Sequence, residues 1–249
     1  MTIPDSRFPI PDRTLLVANL GGVAYGPALE LQRDVARRVI DGDIPQDVLL
    51  LVEHPPVVTL GRGSKQAHLL ASPEFLRSRG VELFEVERGG DVTFHGPGQL
   101  VGYPIIDLKR HRQDLHWYLR QVEESLIRAL ATFDIVGERR AGQTGVWTRG
   151  LPLSPDARKI ASIGVHAREW VTWHGFALNV STDLSYFDLM VPCGISGVTM
   201  TSMNRELQEP VRLEQAADAV VASFSEVFDL TAHAVEASVL SPADLTSGL

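Results

Sequence analysis

Apolar residues recur every three or four positions across residues 114–133, where Leu115, Leu119, Val122, Leu126 and Leu130 fall on one stripe. That period predicts an amphipathic helix with one buried face, and Asp114 is a residue type that caps a helix start. A second such helix is predicted over 213–228. Gly26-Pro27 opens another, running to about Ile40, because proline is tolerated in a first helical turn. Ser72-Pro73 starts a short one ending near Gly80. Elsewhere the period shortens. Runs at 14–19, 48–53, 57–60, 82–87 and 100–106 read as strands, the second and third separated by the stiff turn His54-Pro55-Pro56. Residues 158–180 read as a β-hairpin turning near 168–170. Strands and helices are interspersed without regular βαβ alternation, so an α+β domain is predicted over a doubly wound one. With no repeat and no long linker, the chain divides into a flexible N-terminal segment (1–12), a single domain (13–234) and a loose C-terminal tail (235–249).

Composition narrows the setting. The 249 residues suffice for one sizeable core, and 44% apolar with 22% charged residues is the balance of a soluble globular protein. No apolar run reaches the roughly 18 residues of a membrane span. The first residues lack the basic-then-apolar layout of a secretory signal. The single cysteine cannot close an internal disulfide, so a cytoplasmic protein is expected, with no membrane partner. A formal charge of −8 argues against nucleic-acid binding by the surface as a whole. It leaves room for local basic patches, and Arg139, Arg140, Arg149 and Arg158 cluster in sequence around an expected loop. They read either as solvated faces or as a docking surface. No histidine, cysteine and carboxylate cluster has metal-ligand spacing, so no metal is expected.

The candidate chemistry lies in three places. Residues 88–100, Arg-Gly-Gly-Asp-Val-Thr-Phe-His-Gly-Pro-Gly-Gln-Leu, carry four glycines around a short extended run. Such a run fits either a tight hairpin or a backbone wall against which a ligand lies. Cys193, in Val-Pro-Cys-Gly-Ile-Ser-Gly, is a small buried hydrophobe on one reading and a nucleophile on the other. The flanking Pro192 and Gly194 favour a fixed, irregular backbone with room beside the sulfur. A nearby cation would favour its thiolate, and Lys159, His95, His166 and His174 are the candidates. Lys159 begins an alternating strand on the same face as Ala161, Ile163 and Val165. It either snorkels to water or is a partly desolvated amine able to take and give a proton. His54, His166 and His174 read as structural, and His95 as either pocket-lining or structural.

Taken together, Arg88–Leu100, Lys159-Ile160-Ala161-Ser162-Ile163-Gly164-Val165, His174-Gly175-Phe176-Ala177-Leu178-Asn179-Val180 and Pro192-Cys193-Gly194-Ile195 resemble the lipoyl(octanoyl) transferase family, in order, over roughly residues 15–230. The resemblance implies a mixed β-sheet flanked by helices, like the biotin/lipoate protein ligase catalytic domain. It implies transfer of octanoyl from acyl carrier protein to a lysine of lipoyl domains. Those domains belong to 2-oxoacid dehydrogenase complexes and to the glycine cleavage H protein. The family's acyl-thioester cysteine falls on Cys193 and its activating lysine on Lys159. Its acyl-pocket positions fall on Arg88, Gly89, Gly90, Asp91, Val92, Thr93, Phe94 and His95, on Ser162, Ile163 and Gly164, and on Gly175, Phe176 and Ala177. No cofactor is implied beyond the phosphopantetheine that delivers the acyl group. The competing readings are an ATP-dependent lipoate-protein ligase, a cysteine thioesterase and a non-catalytic acyl-binding module.

Overall fold

The computed structural model describes residues 13–149, 157–191 and 197–240. In chain order the strands are β1 (Thr14–Gly22), β2 (Asp47–Glu53), β3 (Val57–Leu60), β4 (Glu82–Glu85), β5 (Val92–His95), β6 (Gln99–Ile105), β7 (Gly137–Arg140), β8 (Gln143–Thr148), β9 (Arg158–Arg168), β10 (Val171–Asn179) and β11 (Thr231–Ala234). The helices are α1 (Tyr25–Asp41), α2 (Pro73–Ser78), α3 (Leu115–Ala131), α4 (Met203–Glu206), α5 (Leu213–Phe228) and α6 (Ala237–Leu240).

Eight strands form one sheet in the order β11-β1-β2-β6-β10-β9-β8-β7. The first three run parallel and the remaining neighbours antiparallel. Successive residues of a strand point to opposite faces, so alternation decides which core each one joins. Leu15, Leu49, Leu51 and Leu178 face α3 and α5, whereas Leu16, Val48, Leu50 and Ala177 face α1. Strand β2 is covered on both sides, which is why it reads as an unbroken apolar run. The expected mixed sheet with flanking helices is the fold found.

Strands β4-β3-β5 form a second, separate sheet. Residues 48–53 and 57–60 therefore do not pair with each other; the His54-Pro55-Pro56 turn carries the chain from one sheet to the other. The predicted helix 213–228 is present, the one predicted to Phe133 ends at Ala131, and Asp114 accepts hydrogen bonds from the N–H groups of His116 and Trp117 at 2.9 and 3.0 Å. The expected loop around Arg139 and Arg140 is instead the β7–β8 hairpin at the sheet edge. Packing also continues past Ala234: the Val235 N–H reaches Val17 O at 2.9 Å, and Leu240 is buried against the α1 side of the sheet. The looseness expected from residue 235 thus does not extend over 235–240. Residues 1–12 and 241–249 lie outside the described residues. No helix among the described residues is long and apolar enough to cross a membrane.

Candidate active site

Strands β5, β6, β9 and β10 enclose a narrow cavity. Arg88, residues 90–93, His95, Ser162, Ile163, Gly164, Gly175, Phe176 and Ala177 line it. Of the pocket positions marked in the sequence, Gly89 and Phe94 are absent from this lining. Gly89 donates its N–H to Val165 O at 2.8 Å, tying β9 to the loop before β5. Phe94 turns to the other side of β5 and stacks on Tyr186 with ring centroids 4.4 Å apart.

Gly164 and Gly175 face each other across the β9–β10 ladder. A Cβ on Gly175 would sit 2.2 Å from Gly102 O, and one on Gly164 would sit 2.8 Å from Gly89 O. Neither space admits a methyl group, so the wall at this point is main chain. Just before it, His174 adopts a φ of 56°, a left-handed conformation uncommon for a non-glycine residue. Its N–H is taken by the Gln32 side chain of α1 at 3.1 Å instead of by the neighbouring strand.

Arg88 is buried at the cavity edge, where its guanidinium donates to Thr59 O and Thr59 Oγ1, both at 2.8 Å. Asp91 accepts from the Val92 N–H at 2.7 Å and bonds the His68 ring at 2.6 Å. His95 donates from Nδ1 to Gln99 Oε1 at 2.8 Å; Gln99 Nε2 then donates to Asn179 Oδ1, and Asn179 Nδ2 to Thr201 O. One chain of buried hydrogen bonds thus connects the glycine-rich segment to β10 and to the segment that pairs with Lys159. His95 both lines the cavity and is fixed by this chain.

Tyr25, Val101, Tyr103 and His174 also line the cavity, and the sequence reading marked none of them as pocket residues. A tyrosine at the start of a helix carries no pattern that says which cavity it closes. The His174-Gly175 pair was a usable signal, since a glycine beside a histidine within a strand marks a backbone irregularity.

Two buried imidazoles stand here in their neutral form, His95 in the cavity lining and His54 against the lining residue Tyr103. His54 donates from Nδ1 to Val23 O at 2.6 Å and accepts the Tyr103 hydroxyl proton at Nε2, 2.7 Å away. Burial lowers His54 to about 4, and burial followed by the neighbouring His54 lowers His95 to about 3. Burial raises Tyr25 to about 12. In the unfolded chain both histidines return to a pKa near 6.5 and take up protons that the folded state refuses. Stability is therefore full above about pH 6.5 and falls as the pH drops towards 4. Between pH 7 and pH 5 each histidine should cost about 2 kcal/mol. Urea midpoints measured at the two pH values check this, and an unchanged midpoint would contradict the buried neutral pair.

Lys159 is 1% exposed. Its Nζ donates to Thr144 O at 3.1 Å and lies 5.5 Å from the centroid of the Trp147 ring, within cation–π range. Gly145 makes room for it: at φ 131° it carries no side chain, and a Cβ there would sit 2.7 Å from Lys159 Cε. The snorkelling alternative for Lys159 is thereby replaced by an interior position. On its backbone side, the Lys159 N–H donates to Thr199 O at 2.8 Å and its carbonyl accepts from the Thr201 N–H at 2.9 Å.

Cys193 lies outside the described residues. On one flank of its segment, the Val191 N–H bonds His68 O at 2.8 Å, and the His68 ring is the one held by cavity residue Asp91. On the other flank stand Thr199 and Thr201, the backbone partners of Lys159.

The arginine cluster marked around residue 140 is occupied within the molecule. Arg139 pairs with Glu123 and Glu124, Arg149 with Glu138, and Arg158 with Glu206. Arg140 lies over the Trp147 ring at 4.7 Å.

A large mixed sheet with helices on both faces and a glycine-walled cavity between its central strands defines a class of catalytic domain. Solved structures of lipoate-protein ligases share the fold. A putative lipoate protein ligase from T. acidophilum with bound lipoic acid superposes with a TM-score of 0.66, covering 92% of each chain at 15% identity. The bipartite ligase of Thermoplasma acidophilum gives 0.68 over 92% of this chain and 90% of that one, also at 15% identity. At that identity the likeness speaks for the fold alone.

Sequence carries the assignment further. The octanoyltransferase of Acidobacterium capsulatum is 51% identical over 224 residues, covering 86% of this chain and 90% of the relative. That of Chloroflexus aggregans is 48% identical over 219 residues, covering 88% and 96%. The family model for the lipoyl protein ligase A/B catalytic domain matches residues 24–225. The chain belongs to this family, among its octanoyltransferases. It is an acyltransferase that moves an octanoyl group in protein lipoylation.

Proposed function

We propose that Cys193 and Lys159 carry out two successive acyl transfers, with octanoyl-acyl carrier protein as donor and a lipoyl-domain lysine as acceptor. In the first, the Cys193 thiolate attacks the octanoyl thioester. The carbon–sulfur bond to the carrier's pantetheine breaks as the bond to Cys193 forms, and the Lys159 ammonium protonates the departing thiolate. In the second, the acceptor amine attacks the octanoyl-Cys193 thioester. Neutral Lys159 takes the amine's proton, an amide forms and the Cys193 thiolate is released. Exchange of one thioester for another is nearly neutral and thioester to amide is downhill, so no nucleotide is consumed and no cofactor is called for beyond the carrier's phosphopantetheine.

The acyl chain is assigned to the cavity edged by Arg88 and lined by Gly90–Thr93, Ser162–Gly164 and Gly175–Ala177. At about 0.8 kcal/mol per buried methylene, an eight-carbon chain gains several kcal/mol there. The observation that supports the reading is where the described residues on either side of 192–196 are held: Val191 is bonded to His68, which holds cavity residue Asp91, and Thr199 is bonded to Lys159 itself. The acceptors are lipoyl domains of 2-oxoacid dehydrogenase complexes and the glycine cleavage H protein. A chemistry that depends on a free thiol suits a reducing compartment, here the cytoplasm.

The test is intact-mass analysis after mixing the protein with octanoyl-acyl carrier protein, without nucleotide. The expected result is a single octanoyl adduct that is lost when a lipoyl domain is added, with the acyl group recovered on that domain. A requirement for ATP would turn the reading to an acyl-adenylate ligase. Release of free octanoate without acceptor would turn it to a thioesterase.

A further inference from the structure

We infer that Glu123 is a positioning residue for Lys159, acting through one peptide group. Glu123 sits in the middle of α3, fully buried, where a carboxylate requires partners. Its two oxygens divide the task. Oε2 faces Arg120 Nη1 at 2.5 Å and Arg139 Nε at 3.2 Å. Oε1 accepts the N–H of Gly145 at 3.1 Å. That N–H belongs to the same peptide unit as the carbonyl of Thr144, the acceptor for Lys159 Nζ at 3.1 Å. In a trans peptide the two groups point in opposite directions, so carboxylate, peptide and ammonium form one line: Oε1···H–N–C=O···H–Nζ.

The arrangement has a physical purpose. A buried peptide with both ends bonded is polarised by each partner, which strengthens the other bond. Gly145 has no Cβ and stands at φ 131°, so the β8 backbone at this point lacks the side-chain packing that fixes an ordinary strand. The α3 carboxylate supplies that constraint from outside the sheet. The two arginines pair with the far oxygen, so Oε1 is aimed at the peptide while the buried carboxylate keeps ionic partners.

The inference rests on Lys159 acting in the transfer, and the experiment separates the two claims. Glu123→Gln keeps the reach to Gly145 and gives up the charge. Glu123→Asp keeps the charge and draws the oxygen back by one methylene. Each is compared with the native enzyme and with Lys159→Ala at a temperature where circular dichroism shows all four folded. The readouts are kcat and KM for octanoyl transfer, and the rate at which iodoacetamide labels the single cysteine at pH 7. Glu123→Gln should stay within about threefold of native in both rates. Glu123→Asp should lose about tenfold in kcat and in labelling, with KM for donor and acceptor unchanged. Native rates in Glu123→Asp, or an equal loss in Glu123→Gln, overturn the positioning role while Lys159→Ala remains impaired. Native rates in Lys159→Ala itself remove the reading of Lys159 on which the inference stands.

Discussion

Replacing Cys193 with alanine is expected to abolish the octanoyl adduct and to lower transfer to the lipoyl domain by about 10⁴-fold or more, the scale on which loss of a nucleophile acts. The expectation is clean because the chain contains one cysteine, so no other thiol can take over the acyl group. The variant should still bind the octanoyl chain, since the cavity is built from β5, β6, β9, β10 and the loop before β5. Intact-mass spectrometry with octanoyl-acyl carrier protein, beside an assay of acceptor octanoylation, measures both effects. An adduct of native yield in Cys193→Ala would place the nucleophile elsewhere and end the two-transfer scheme.

Lys159→Ala is expected to cost about 10²- to 10⁴-fold in kcat, the usual range for a group that moves protons in both directions. Iodoacetamide labelling of Cys193 should slow as well, and its pH dependence should shift upward, because the cation that favours the thiolate is gone. The two readouts belong to different steps: labelling reports the thiol before any substrate is bound, whereas kcat includes deprotonation of the acceptor amine. A labelling profile identical to that of the native protein would reject the activating role even if kcat fell. Lys159→Arg is a useful companion, since it keeps the charge while preventing proton transfer at neutral pH.

Much of the fold could be read from local pattern because the elements in question satisfy it locally. Helix α5 spans Leu213–Phe228, the range its apolar period marks, and β9 and β10 turn at the place the hairpin reading puts them. Three strands escaped notice: β7 and β11 at the sheet edges, and β8 beside β7. Strand β7, Gly-Glu-Arg-Arg, has no apolar alternation, and β11, Thr-Ala-His-Ala, is exposed along its length. Both are strands because a neighbour offers hydrogen bonds, which no window of a few residues reveals. The site divides in the same way. The glycine-rich and β10 segments announce themselves through residues that only a constrained backbone needs. Tyr25, Tyr103 and Glu123 are ordinary residues on ordinary elements, and their importance comes from what stands opposite them in space.

The facing pair Gly164 and Gly175 sets a limit on how the cavity can respond to what enters it. Side chains accommodate a misfit by changing rotamer, but a wall of hydrogen-bonded main chain has no rotamers to change. An intruding atom must stretch the ladder or stay out. Tolerance at this spot is therefore a property of the sheet as a whole, since neither glycine of the pair has a side chain to trim.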